Sequence, residues 1–197
     1  MQHDAPASLL SPRTGILIAM IAFAVGMRLV NFFVPGALPN FTPVEAIALF
    51  GGAYFADRRL AFIVPLIGMA IADAIIGVNL SDENIGFWYR SAPAVYACIA
   101  LTVLGGLQLR NRVDVTRVFG YSFASAVLFF VVTNFAVWLF AAGPAGDACV
   151  RGLMPCYVAA IPFFSGTLVG TLVWSAVLFG GFELLRRRWP ALQLANA

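Results

Sequence analysis

Three ionisable side chains and an amide stand in this sequence inside runs of otherwise apolar residues: Arg28, Glu45, Asp73 and Asn134. A charge in hydrocarbon is costly unless it is paired or lines a wet cavity, so such residues usually mark function. Arg28 carries the sign that complements Glu45 and Asp73, and the three can form one buried network. Polar and aromatic residues that fall near them are Asn31, Trp88, Tyr89, Arg90, Tyr96, Trp138 and Tyr157. Two readings stay open. One is a ligand pocket walled by these side chains; the other is an interhelical ion pair beside an aromatic belt of Trp and Tyr. Glu45 has its own local alternative, because Thr42, Pro43 and Glu45 are spaced as a capping box at a helix start.

Catalytic chemistry has little to work with. The sequence holds no G-x-x-x-x-G-K-[ST], H-E-x-x-H or G-x-S-x-G motif, and Ser165-Gly166 has no histidine or lysine to activate it. The single histidine, His3, lies in a polar tail. Glu45 and Asp73 as paired carboxylates are the weakest option. The expectation is a protein that is not an enzyme and has no resident cofactor.

Composition sets the class. Hydrophobic residues make up 61% and charged residues 11% of the 197 residues, with mean hydropathy +0.91. A soluble domain carries about 25% charged residues. The chain is therefore read as all-α and polytopic, a six-transmembrane-helix bundle in one membrane domain. The expected spans are 14–33, 43–55, 60–78, 92–109, 118–140 and 162–185, with polar tails at 1–13 and 186–197. Pro162 and Ser165-Gly166 are expected to break the last apolar stretch, leaving 153–161 as a short outer cap. Pro65 is an expected kink in the third span. The first span is too long, and lacks the cleavage site, for a removable signal peptide. Ala22-x-x-x-Gly26 and Gly166-x-x-x-Gly170 are small-residue pairs that let helices approach closely, the second of them within the chain.

All twelve basic residues are arginine. In a six-span layout Arg13, Arg58, Arg59, Arg110, Arg112, Arg117 and Arg186 to Arg188 share one side, while Arg90 and Arg151 face the other. The positive-inside rule then puts both termini in the cytoplasm, and the net charge of +3 needs no nucleic-acid partner. That orientation brings the polar residues of the first paragraph to the outer half and predicts an inner half that is dry apart from flanking arginines and Glu183. Cys149 and Cys156 fall on the outer side, where a disulfide between them is one option; Cys98 reads as a small buried residue.

With these residues laid out, the chain resembles a family of small bacterial integral membrane proteins of uncharacterised function. The matching stretches are NFTPVEAIALFGGAYF (Asn40 to Phe55), TNFAVWL (Thr133 to Leu139) and CYVAAIPFF (Cys156 to Phe164). That family is similar in architecture to the substrate-binding S-components of energy-coupling-factor (ECF) vitamin transporters. The resemblance implies a bacterial inner-membrane protein with an outward-facing pocket, and a small-residue surface on the first helix that meets an ECF transmembrane subunit served by two ATPases. It implies uptake of a vitamin or related micronutrient, with cobalamin a candidate substrate. In some such relatives a cysteine holds the cobalt. The loop from Asn79 to Arg90 has none here, which leaves Cys98, Cys156 or no protein ligand. The competing expectation is a membrane scaffold or assembly factor that uses its small-residue pairs to hold partner helices.

Overall fold

The first helix starts on a local signal: Ser11 is extended, accepts the Thr14 N–H at 3.1 Å, and precedes Pro12 in the first turn. The computed structural model describes residues 11–34, 39–79, 90–140 and 146–192. Among them seven α-helices and no strand are found: α1 (Pro12–Phe33), α2 (Val44–Tyr54), α3 (Arg58–Asn79), α4 (Ala92–Gln108), α5 (Val115–Phe140), α6 (Gly146–Val150) and α7 (Leu153–Arg188). A short 3-10 turn, Pro190–Leu192, follows. Helices α1, α3, α5 and α7 are long and apolar enough to cross a membrane, whereas α2 and α4 are shorter. Their outward faces carry large apolar side chains such as Phe23, Ile67, Ile71, Phe119 and Leu139. This is a membrane-embedded, all-α protein.

Every residue of α2 is buried. A helix that is apolar all round has no face to offer solvent or lipid, and here α1, α3, α4, α5 and α7 all pack on it. Its closest neighbour is α4, through Gly52 and Gly106. A Cβ placed on Gly52 would stand 2.8 Å from the Gly106 Cα and against the Val103 carbonyl oxygen, so the two backbones touch. On the α3 side, the Pro65 ring fills the slot that Gly51 leaves. Pro65 and Pro162 both lie inside unbroken helices.

The short helix is also fastened at its C-terminus, where unpaired carbonyls carry the negative end of the dipole. Arg110 donates from Nε to the Gly52 carbonyl at 3.0 Å and from Nη2 to the Phe55 carbonyl at 2.6 Å, and Arg13 donates to the Tyr54 carbonyl at 3.1 Å. Hydrogen bonds to charged groups contribute roughly 1.5–3 kcal/mol. Arg110→Met is therefore expected to lower the thermal unfolding midpoint clearly, while Arg112→Met, at an exposed neighbour, leaves it unchanged.

Two expectations are corrected. The expected break at Pro162 is absent: residues 153–161 are the first turns of α7, which continues for 36 residues. Proline is tolerated inside helices packed among other helices, because neighbouring groups take up the freed carbonyl. The capping box does not form either. Pro43 is the N-cap of α2 and no side chain caps it. Thr42 is instead drawn into a tight turn, its N–H bonded to the Asn40 carbonyl at 2.9 Å, and Glu45 points elsewhere.

Candidate functional site

Arg28 lies about a turn and a half before the end of α1, Asp73 as far before the end of α3, and Tyr96 a turn after the start of α4. The directions of these helices bring all three to one level. Arg28 Nη1 stands 2.7 Å from Asp73 Oδ1, and Tyr96 Oη donates to Asp73 Oδ2 at 2.8 Å. Both carboxylate oxygens of Asp73 are engaged, and three helices are tied through one side chain. The Arg28 contact is one of charges rather than a linear hydrogen bond, since Nη1 does not donate along its N–H direction. Both side chains are largely buried, 18% and 8% exposed.

Glu45, in the first turn of α2, is 2% exposed. Its Oε2 lies 3.1 Å from Thr171 Oγ1 on α7, and Thr171 Oγ1 lies 2.8 Å from the Thr167 carbonyl oxygen. Thr171 stands at the middle of α7, so Glu45 is level with the centre of the longest helix. Arg28 acts on Glu45 electrostatically, and Glu45 in turn on Cys98, but no cation stands within ion-pair distance of Glu45 among the described residues. The start of α2 offers an anion about 0.3–1 kcal/mol. An unpaired charge at this depth costs about 2.5 kcal/mol or more. Burial outweighs the dipole.

The remaining expected site residues divide. Asn31 is half-buried one turn beyond Arg28. Asn134, Trp138 and Tyr157 belong to the α5–α7 side: Asn134 Nδ2 donates to the Phe130 carbonyl at 2.8 Å, Tyr157 Oη to the Val131 carbonyl at 2.6 Å, and the Trp138 ring lies 5.5 Å from Phe135. None of these contacts reaches the Arg28–Asp73 pair. Arg90 is exposed in the turn before α4. Trp88 and Tyr89 lie outside the described residues.

Cys149 and Cys156 form a disulfide between α6 and α7. Cys156 therefore has no thiolate to offer cobalt, and of the two cysteines weighed for that role only the buried Cys98 is free. Among the described residues no three His, Cys, Asp or Glu side chains gather as a metal centre would require. Alkylation of the denatured, unreduced protein is expected to label one of its three cysteines, Cys98, and reduction beforehand all three, as read by intact mass. Two labels or more without reductant contradict the disulfide.

The small-residue pairs differ in use. Gly166 and Gly170 press on the connection into α2: a Cβ on Gly170 would lie 2.9 Å from the Thr42 nitrogen, and one on Gly166 would overlap the Pro39 carbonyl oxygen. Ala22 is exposed and a Cβ on Gly26 would meet nothing within 4 Å, so that pair faces away from the chain's own helices.

At the opposite end of α2 the polar contacts are mostly those of the expected Glu183 and flanking arginines, with Tyr54 joined to them. Tyr54 Oη donates to Glu183 Oε1 at 2.7 Å, Glu183 pairs with Arg186 at 2.6 Å, and the Arg13 guanidinium lies 5.3 Å from the Phe182 ring centre. Ser122 and Ser175 share a buried hydrogen bond of 2.8 Å between α5 and α7. Sequence reasoning missed Thr171 as the partner of Glu45. Its signal was Thr167, Thr171 and Ser175, spaced four apart on one face of α7 and all buried.

These features define an α-helical membrane protein whose interior holds an Arg–Asp–Tyr network and a separate acid, Glu45, bonded to Thr171 and without an ion pair among the described residues. Over residues 8–192 the chain matches the family described as a family of unknown function, DUF6580, and it belongs to that family. No curated protein and no solved structure matches it.

Proposed function

We propose that this protein captures a small molecule from the outer side of a bacterial inner membrane, as a substrate-binding subunit or a solitary transporter. The observation that carries the reading is the Arg28–Asp73–Tyr96 network, with Glu45 buried close by. One structural ion pair accounts for Arg28 and Asp73 but leaves a costly acid unexplained. The Cys149–Cys156 disulfide supports the orientation, since such bonds persist on the oxidising side and most arginines lie at the other end. On this reading both termini are cytoplasmic and the bundle makes six crossings, with α2 and α4 as the short ones. The resemblance to ECF S-components suggests a vitamin or related micronutrient as substrate, with cobalamin one candidate. Its suggested partner is an ECF transmembrane subunit with two ATPases, for which the open Ala22–Gly26 face on α1 is suited.

The scaffold reading keeps that same face but loses Gly166 and Gly170, which are occupied within the chain. The test is mass spectrometry of small molecules retained in mild detergent, together with thermal unfolding across a panel of vitamins. A ligand at about 100 times its Kd adds roughly 2.7 kcal/mol of stability and a clear upward shift. No retained molecule and no shift with any vitamin would remove the capture reading. Asp73→Asn then separates the two roles: a capture protein loses binding while still accumulating, whereas a scaffold loses accumulation.

A further inference from the structure

Thr171 Oγ1 carries one hydrogen yet lies within hydrogen-bond distance of two oxygens, the Thr167 carbonyl at 2.8 Å and Glu45 Oε2 at 3.1 Å. A carbonyl can only accept, and it is the nearer of the two. If the hydroxyl hydrogen goes to Thr167, the contact with Glu45 is satisfied only when Glu45 brings a hydrogen of its own. An ionised carboxylate would instead set lone pair against lone pair in a buried site. The surroundings point the same way.

Most charged groups on the helices packed around α2 stand at the helix ends away from Glu45: Arg13 on α1, Arg58 and Arg59 on α3, Arg117 on α5 and Arg186 to Arg188 on α7. The others are Arg28 on α1, Asp73 on α3, Tyr96 and Cys98 on α4, Tyr121 on α5, which lies against Gly105 of α4 beside Leu49 further along α2, and Tyr157 on α7, which donates to the Val131 carbonyl. On α7, Glu183 sits at the opposite end of α2 against Tyr54. Among the described residues Arg28 is the one cation that acts on Glu45 electrostatically, and it is held at Asp73. We propose that Glu45 is a proton-binding site: it holds a proton while Arg28 is held by Asp73, donates it to Thr171 Oγ1, and releases it when Arg28 is freed to neutralise the carboxylate. In that step the Glu45 O–H bond breaks, the proton passes to solvent, and the guanidinium exchanges one carboxylate for the other. The off-line contact between Arg28 and Asp73 leaves Arg28 donors to make the exchange. The site stands whether or not the protein captures a ligand, because it needs only these side chains.

Infrared spectroscopy of the full chain in lipid nanodiscs at pH 7 tests it through the C=O stretch of a protonated carboxylic acid. The wild type is expected to show that band and Glu45→Gln to lose it. Asp73→Asn, which frees Arg28, is expected to lose it as well, although Glu45 is still present. Thr171→Val, which removes the acceptor but not the acid, should move the band to higher frequency. No acid band in the wild type, or one that persists in Glu45→Gln, overturns the proton site. A band unchanged in Asp73→Asn overturns the coupling to Arg28. If Glu45→Gln does not fold, Thr171→Val decides, and an unmoved band there overturns the assignment.

Discussion

Gly106→Ala is expected to abolish accumulation of folded protein, read by size-exclusion chromatography of a fluorescent fusion in detergent. The added methyl would stand 3.0 Å from the Gly52 Cα and against the Leu49 carbonyl oxygen. These are backbone atoms of a helix held on all sides, so no side chain can swing away to make room. Overpacking a core usually costs about 1–3 kcal/mol. Here the only relief is to part α4 from α2, which also disturbs the packing of α3, α5 and α7 on the same short helix. Gly120→Ala and Gly180→Ala are the controls. A Cβ at either meets nothing within 4 Å, and alanine in a helix interior is worth roughly 0.5–1 kcal/mol over glycine. Both should accumulate at least as well as wild type. A Gly106→Ala protein with a wild-type profile and melting point would show that the α2–α4 contact is looser than described.

The second large effect is expected at the ion pair. Arg28→Met leaves Asp73 buried with only the Tyr96 hydroxyl of its two described partners, and breaking a buried pair from one side costs about 3–5 kcal/mol. The thermal midpoint should fall steeply. The double variant Arg28→Met/Asp73→Leu should recover most of the loss, because replacing both members by apolar groups removes the uncompensated charge. A double variant as unstable as the single one would mean that Arg28 stabilises the bundle through contacts other than Asp73. Asp73→Asn is expected to be milder than Arg28→Met, since the freed guanidinium still has Glu45 within electrostatic range.

Much of the helical layout was legible before any coordinates. Hydropathy and length mark each long helix, and the structure moves most of their ends by only a few residues. The exceptions were local stop and start signals that packing overrode. Pro162 reads as a breaker, but α7 is embedded among neighbours and continues through it. Thr42 and Glu45 read as a capping box, but the backbone at Thr42 is pressed against Gly170 and Glu45 turns to Thr171. The carbonyl end of α2 was illegible for a related reason. Arg13 and Arg110 count as topology markers in a sequence, and only the fold shows them holding the carbonyl end of α2.

The sequence by itself determined the class, the helices and the small set of ionisable residues placed in apolar runs, because hydropathy and period are properties of consecutive residues. It did not determine pairing. Whether Arg28 meets Asp73 or Glu45, whether Gly52 lies on Gly106, and which hydroxyl faces a buried acid depend on the rotation and depth of each helix against its neighbours. Those are set when several helices compete to bury one fully apolar segment, a balance that linear spacing does not contain.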